Sequence, residues 1–134
     1  MKAYLIDPNN RKITEVDYTG DFRNIYTHIG AECFDVARFG ETDCVFVDDE
    51  GLIKGPVYQF FAVQGYPAPL AGKGLVLGTD EEGNSISPSI DLAWLKSNVY
   101  WVELLGPRMF GVTKGRKTEI TNDVEAKLAQ LMGF

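Results

Sequence analysis

Two short acidic segments are the part of this sequence whose residue types are best suited to chemistry. Asp48-Asp49-Glu50 and Asp80-Glu81-Glu82 each follow a short apolar stretch and precede a glycine. Carboxylate oxygens are the ligands that hard cations such as Mg²⁺ and Ca²⁺ prefer. If the two loops lie side by side, Asp48, Glu50 and Asp80 would form a metal site. Acidic residues followed by glycine are equally typical of plain hairpin turns.

A second candidate site is an anion pocket around Lys73. The segment Gly72-Lys73-Gly74 is too short for a phosphate-binding P-loop and lacks the Ser or Thr that follows the lysine in that motif. Lys73 is close in sequence to Tyr66 and two prolines, which could form the rim of a small pocket with it. Tyr58 is a further aromatic ligand-binding candidate. The alternative is a flexible connection into the strand that follows.

Residues for nucleophilic catalysis and for zinc binding are scarce. His28 is the one histidine, and Cys33 and Cys44 are the two cysteines. A closed zinc site needs four ligands with paired spacing, which these three residues do not supply. His28 falls on the polar side of a predicted helix, and free cysteines near strands usually behave as small apolar residues. We therefore expect no catalytic residues and no cofactor.

The elements that would position these residues predict an α+β fold: a mainly antiparallel sheet with about three helices in a single compact domain, residues 1–134. Residues 106–134 are expected to form a C-terminal hairpin and helix. The strands are predicted from short apolar or alternating stretches at 3–6, 12–16, 34–39, 44–47, 57–63, 75–77, 100–105, 109–112 and 118–120. The segment Gly65–Pro69 is predicted to be a loop because of its prolines.

Helix termini are predicted from capping residues. The first helix has four apolar or aromatic residues on one face: Phe22, Ile25, Tyr26 and Ile29. Asp21 and Gly30 would cap its two ends. A second helix is expected to start near Asp91. In the last helix, Asn122 with Glu125 three residues later has the spacing of a capping box.

Two predicted strands, 57–63 and 100–105, are apolar on both faces. This pattern is typical of a central strand covered on both sides, or of a strand at a subunit interface. Phe60, Phe61 and Trp101 are therefore the candidate interface residues, and a homo-oligomer is one interpretation of them.

Composition limits the classes of partner. The net charge of −6 argues against non-specific nucleic-acid binding, which requires Lys and Arg to neutralise phosphates. No apolar run approaches the roughly 20 residues that cross a bilayer, and the first residues lack a leader pattern. Two cysteines are too few for a secreted disulfide framework. We expect a cytoplasmic protein that does not bind membranes.

The blocks VDDEGLIK, within Cys44–Lys54, and LAGKGLVLG, at Leu70–Gly78, resemble segments of a family of small proteins of unknown function. Its members occur in bacteria, phages and other mobile elements. The resemblance covers about residues 1–105. Because the family has no assigned reaction, the resemblance transfers no catalytic residue. It implies a small accessory protein, often encoded on a mobile element, that acts on a host component.

Three functional hypotheses follow. The first is a non-enzymatic binding module for a protein or a small molecule, with aromatic anchors such as Tyr58, Phe60, Tyr66 and Trp101. The second is a metal-assisted hydrolase of a phosphorylated or nucleotide-like small molecule, in which the two acidic loops converge and Lys73 stabilises negative charge. The third is an acidic mimic of nucleic acid.

Overall fold

A computed structural model describes residues 1–31, 33–49 and 59–133. The elements in chain order are β1 Lys2–Asp7, β2 Lys12–Asp17, α1 Arg23–Ile29, β3 Phe34–Arg38, β4 Asp43–Asp48, β5 Gln59–Val63, β6 Tyr66–Ala71, β7 Gly74–Thr79, β8 Ser85–Ile86, α2 Leu92–Asn98, β9 Val99–Gly106, β10 Met109–Lys114, β11 Lys117–Thr121 and α3 Val124–Met132. In the described part of the chain, no helix is long and apolar enough to cross a membrane.

The strands form two antiparallel sheets, which confirms the predicted α+β fold. The first sheet has the order β2-β1-β7-β4-β3, with β8 added to one end of β7. The second has the order β11-β10-β9-β5-β6. Consecutive strands form hairpins at both ends of the chain, whereas β7 and β9 are central strands that join segments distant in sequence. The chain segment from β9 onward therefore completes the second sheet.

Strand β5 is covered on both faces by its own chain. Phe61 and Val63 face the first sheet and belong to the main core. Ala62, on the other face, packs in a second cluster with Leu128 and Met132 of α3. The apolar pattern of this segment thus arises from a central strand between a sheet and a helix.

The two sheets are in close contact at Gly74. A Cβ atom at this position would lie 2.6 Å from Phe61 Cζ and 2.6 Å from Val45 Cγ2. The Phe61 ring, which is 0% exposed, therefore occupies the space that any side chain at position 74 would need. Glycine at the start of β7 is what lets the ring of one sheet rest on the backbone of the other.

Helix α2 is held in place by two carboxylates. The helix starts next to Asp91, as predicted, and Asp91 caps it by accepting a hydrogen bond of 2.7 Å from the Trp94 N–H. Asp43, only 4% exposed, accepts hydrogen bonds from the N–H and the hydroxyl of Ser89. Because Asp43 starts β4, this contact ties the segment before α2 to the first sheet. Leu95 then packs into the main core.

The prediction that Gly65–Pro69 is a loop is wrong. Tyr66 pairs with Val63, and the chain continues as β6 at the edge of the second sheet. A proline forces the preceding residue out of the helical region, which suits a strand as well as a loop, and an edge strand tolerates the missing N–H. The turn consists of Gln64 and Gly65 alone, and it needs glycine at the second position: the φ of Gly65 is +102°, and a Cβ there would lie 2.0 Å from the Phe39 carbonyl oxygen.

Two details of the predicted helix termini also need correction. Asp123, rather than Asn122, caps α3 and accepts a 3.1 Å hydrogen bond from the Ala126 N–H. At the start of α1, Phe22 rather than the predicted Asp21 is the N-cap residue; it makes no side-chain capping hydrogen bond, and its ring is 57% exposed instead of facing the core. Gly30 ends α1 in the left-handed conformation, as predicted.

The contact between Phe61 and Gly74 gives a testable prediction. Gly74→Ala should lower the free energy of unfolding by about 1–3 kcal/mol, because the added methyl group overpacks the core. In the Gly74→Ala/Phe61→Leu double variant, the loss should be smaller than the sum of the two single losses, because the smaller side chain makes room. Urea unfolding of the four proteins measures this coupling.

Gly40→Ala is the matched control for that cycle. The nearest atom to a Cβ at position 40 is 3.8 Å away, an ordinary contact, so we expect a change within about 0.5 kcal/mol. Strictly additive losses in the double variant would show that Phe61 and Gly74 do not share the same space.

Candidate functional site

The fold does not bring the predicted metal ligands together. In the antiparallel pair of β4 and β7, Asp43 lies opposite Gly78 and Val47 lies opposite Gly74. Asp48 is therefore at one end of these strands and Asp80 follows the other end. In this register Asp48 is level with Lys73, seven residues before Asp80, so about 24 Å of strand separates the two carboxylates. Two carboxylates so placed cannot share an ion, and Glu50 lies outside the described residues.

The carboxylate of Asp80 is used by its own turn. It accepts hydrogen bonds from the N–H groups of Glu82, at 2.9 Å, and Asn84, at 2.8 Å. Hydrogen bonds from the backbone, above all that of Asn84, lower the pKa of Asp80. Across the described residues there is no group of three or more His, Cys, Asp or Glu side chains that could hold a metal. The Asp80 segment is thus a hairpin turn, which was the alternative to a metal site predicted from the sequence.

The residues of the pocket predicted around Lys73 do not lie together either. Tyr66 is the first residue of β6 and Ala71 is the last, so the two ends of this strand are about 17 Å apart. Lys73 lies two residues beyond the second end. Tyr66 packs against the main core instead. Tyr58 lies outside the described residues. Tyr66 and Lys73 therefore do not line one pocket.

The three candidate interface residues have different surroundings. Phe61 is enclosed by its own chain and is not available to a partner. Phe60 is half-buried against the cluster that includes α3. Trp101, in β9, is half-buried against the main core and also lines a cleft at the surface. Only Trp101 thus belongs to a site that a ligand could enter.

This cleft has a volume of about 400 Å³ and lies between the edge strand β2 of the first sheet and strand β9 of the second. Its walls come from β2, the end of α2, β9 and the turn between β10 and β11. Three cationic and three apolar residues face it: Arg11, Lys12, Lys96, Ile13, Val99 and Trp101. The hydroxyl-bearing Thr14 and the glycine of the turn, Gly115, complete the lining.

The turn between β1 and β2 places the first two cations. Asp7 closes this turn by accepting hydrogen bonds from the N–H groups of Asn9 and Asn10. Arg11 then adopts a φ of +51°, which is unusual for a residue other than glycine. Its Nη2 lies 3.4 Å from Glu103 Oε2, and Glu103 also accepts a 3.1 Å hydrogen bond from Gln59. Arg11 thus bridges the first sheet to the second.

The electrostatic character of the cleft differs from that of the whole chain. Lys12 and Lys96 are exposed, and neither forms an ion pair with any residue in the ranges that the structure describes. Arg116 follows Gly115 directly and adds a further exposed cation at the same turn. The acidic turn at Asp80 lies at the opposite end of the first sheet, since Lys12 pairs with Asp7 beside the Gly74 end of β7. Among the described residues, the lining of the cleft thus holds three cations and no carboxylate, although Asp7 and Asp48 lie at the same end of the first sheet.

Sequence reasoning missed this cleft because its cations come from distant parts of the chain. Arg11 and Lys12 belong to an N-terminal hairpin, and Lys96 to the second helix. The sequence signal was limited to a basic pair directly after the turn residues Asn9 and Asn10. Their convergence depends on α2 packing beside β2, which only the tertiary structure shows.

The potential nucleophiles lie away from the cleft. Cys44 is buried in β4, its thiol donates to the Leu77 carbonyl, and burial raises its pKa. Cys33 is exposed before β3. His28 Nε2 is 2.9 Å from the carbonyl oxygen of Asp17, at the end of β2 opposite Lys12. The cleft residues described above are thus suited to binding an anion.

The two cysteines should differ sharply in reactivity. A thiol reagent added to the native protein should label Cys33 quickly and Cys44 only after unfolding, because burial keeps Cys44 protonated and inaccessible. Cys33→Ser should abolish the rapid labelling, and Cys44→Ser should leave it unchanged. Rapid labelling of the Cys33→Ser variant under native conditions would contradict the burial of Cys44.

Comparison with known proteins gives a family but no activity. The sequence model of DUF3846, a domain of unknown function, matches residues 1–97. The uncharacterised protein y4iR of Sinorhizobium fredii (strain NBRC 101917 / NGR234) is 34% identical over 93 residues, which are 67% of this chain and 56% of that protein. The chain thus spans little more than half of the length of this relative. No solved structure matches the chain.

Proposed function

Because the chain belongs to the DUF3846 family, a domain of unknown function, we propose its function from the cleft: it is a non-enzymatic binding module for a small anionic ligand. One observation carries the proposal. Arg11, Lys12 and Lys96 converge around Trp101 in a protein whose net charge is −6. An acidic protein that gathers cations at one concave site creates a local field that attracts anions.

The three cations are suited to holding a ligand rather than to forming an internal ion-pair network. Like charges that share a cleft repel one another, and in the described residues only Arg11 of the three has an acidic partner, Glu103. A bound anion would remove this repulsion and supply the missing hydrogen-bond acceptors. Lys12 and Lys96 are the residues that gain most from such a ligand.

The size of the cleft supports a small molecule. A volume of about 400 Å³ falls in the range of sites for small ligands and cofactors, roughly 300–1,000 Å³. The proposal does not need a second copy of the chain, because the apolar faces of β5 are covered internally. It also does not include metal-assisted hydrolysis, because Asp48 and Asp80 lie at opposite ends of the first sheet.

Inorganic pyrophosphate is a suitable first probe, and titration calorimetry measures its affinity. Removing two exposed cations with Lys12→Gln/Lys96→Gln should weaken binding about tenfold, since each exposed ion pair contributes roughly 0.2–1 kcal/mol. Raising the salt concentration from about 0.05 to about 0.3 M should weaken binding to the native protein as well.

Lys2→Gln/Lys73→Gln is the matched control, because it changes the net charge equally at two lysines outside the cleft. Its affinity for pyrophosphate should stay within about twofold of the native value, well below one tenfold step of 1.4 kcal/mol. Equal losses in both double variants would mean that net charge, not the cleft, governs binding. No binding to the native protein would refute the proposal.

A further inference from the structure

We propose that the ligand of the cleft is a free nucleotide, with its phosphates at the cationic rim and its base against Trp101. This inference rests on the proposed function and names the chemical class of the ligand. It is carried by the two chemically different sets of residues that line the cleft, three cations on the one hand and Trp101 with two aliphatic residues on the other.

The rim of the cleft is suited to more than one negative charge. Arg11 and Lys12 approach from the β1–β2 turn, whereas Lys96 approaches from α2. Cations on separate elements contact separate oxygens of an extended anion, so a chain of phosphates uses all three and a single carboxylate does not. The Arg11 guanidinium is fixed towards the second sheet by Glu103, which leaves its other N–H groups for a phosphate.

The floor of the cleft is suited to a flat apolar group. Ile13 and Val99 line it with the small part of their aliphatic carbon that is exposed, and Trp101 lines it with part of a half-buried indole ring. An inorganic anion would leave these surfaces unused. A nucleobase stacks on aromatic side chains whatever its sequence identity, because every base has a π-face. The combination of ring and phosphates therefore indicates a nucleotide.

The dimensions favour a mononucleotide over a polynucleotide strand. Among the described residues, the cleft of about 400 Å³ is lined by one aromatic residue, the half-buried Trp101, whereas proteins that track single strands place successive bases on several aromatic residues. Tyr100, the aromatic neighbour of Trp101, is buried on the other face of β9, in the cluster with α3. A second base thus has no stacking partner beside the first.

The test compares four probes by titration calorimetry on the full chain: pyrophosphate, adenosine, ADP and an oligothymidylate strand. ADP should bind at least about tenfold more tightly than pyrophosphate or adenosine, because it alone uses both sets of residues. Trp101→Leu should weaken ADP binding about tenfold and pyrophosphate binding less than about twofold. Trp101→Phe keeps an aromatic ring and should retain most of the affinity for ADP.

Trp94→Leu is the matched control, because Trp94 stacks on Phe39 outside the cleft. Equal affinities for ADP and pyrophosphate in the native protein would overturn the nucleotide and leave the anion-binding function standing. A strand that binds much more tightly than ADP would assign the cleft to single-stranded nucleic acid and also overturn the inference. If neither ADP nor pyrophosphate binds, both proposals fail.

Discussion

The packing of the Phe61 ring on the backbone of Gly74 is the contact on which the rest of the structure depends. It sets the distance between the two sheets at the centre of the main core, with Val45 on the other side of the same space. Interiors are packed as densely as organic crystals, so this distance cannot vary without loss of contacts elsewhere. This contact therefore also fixes the positions of β2 and β9, between which the cleft lies.

The cleft results from the arrangement of strands and a helix at one edge of the first sheet. Strand β2 is an edge of the first sheet, and in the second sheet β10 and β11 follow β9 on one side. Helix α2 packs beside β2 and leaves a concave space in front of Trp101. Asp43, through Ser89, and Asp91 fix the position of this helix and therefore that of Lys96. Buried packing and a few hydrogen bonds thus determine where the surface charges lie.

Much of the fold follows from local patterns in the sequence. Alternating residues predicted the first hairpin, and the glycine-flanked stretch around Leu75 became the central strand β7. The sequence also indicated that a helix starts near Asp91 and that Gly30 ends α1, because signals at helix termini are local. Proline was less informative: it excludes helix but does not distinguish a loop from an edge strand, so β6 was missed.

The candidate site was much harder to predict, because its residues are not neighbours in sequence. The acidic segments attracted attention as compact clusters, yet the antiparallel register places Asp48 and Asp80 at opposite ends of the sheet. Arg11 and Lys96 are ordinary surface residues when each is considered alone. They form a site only because strand order and helix packing bring them together. Both depend on long-range contacts that no local pattern encodes.

The central claim is that anions bind in the cleft between the sheets, and amide NMR spectra recorded during a pyrophosphate titration test it most directly. We predict that the resonances that move are those of Arg11 to Thr14, Lys96, Gly115 and the indole N–H of Trp101, which line the cleft. The resonances of the acidic turn at Asp80 and of His28 should stay fixed. Shifts centred on any other surface, or no shifts at all, would contradict the account.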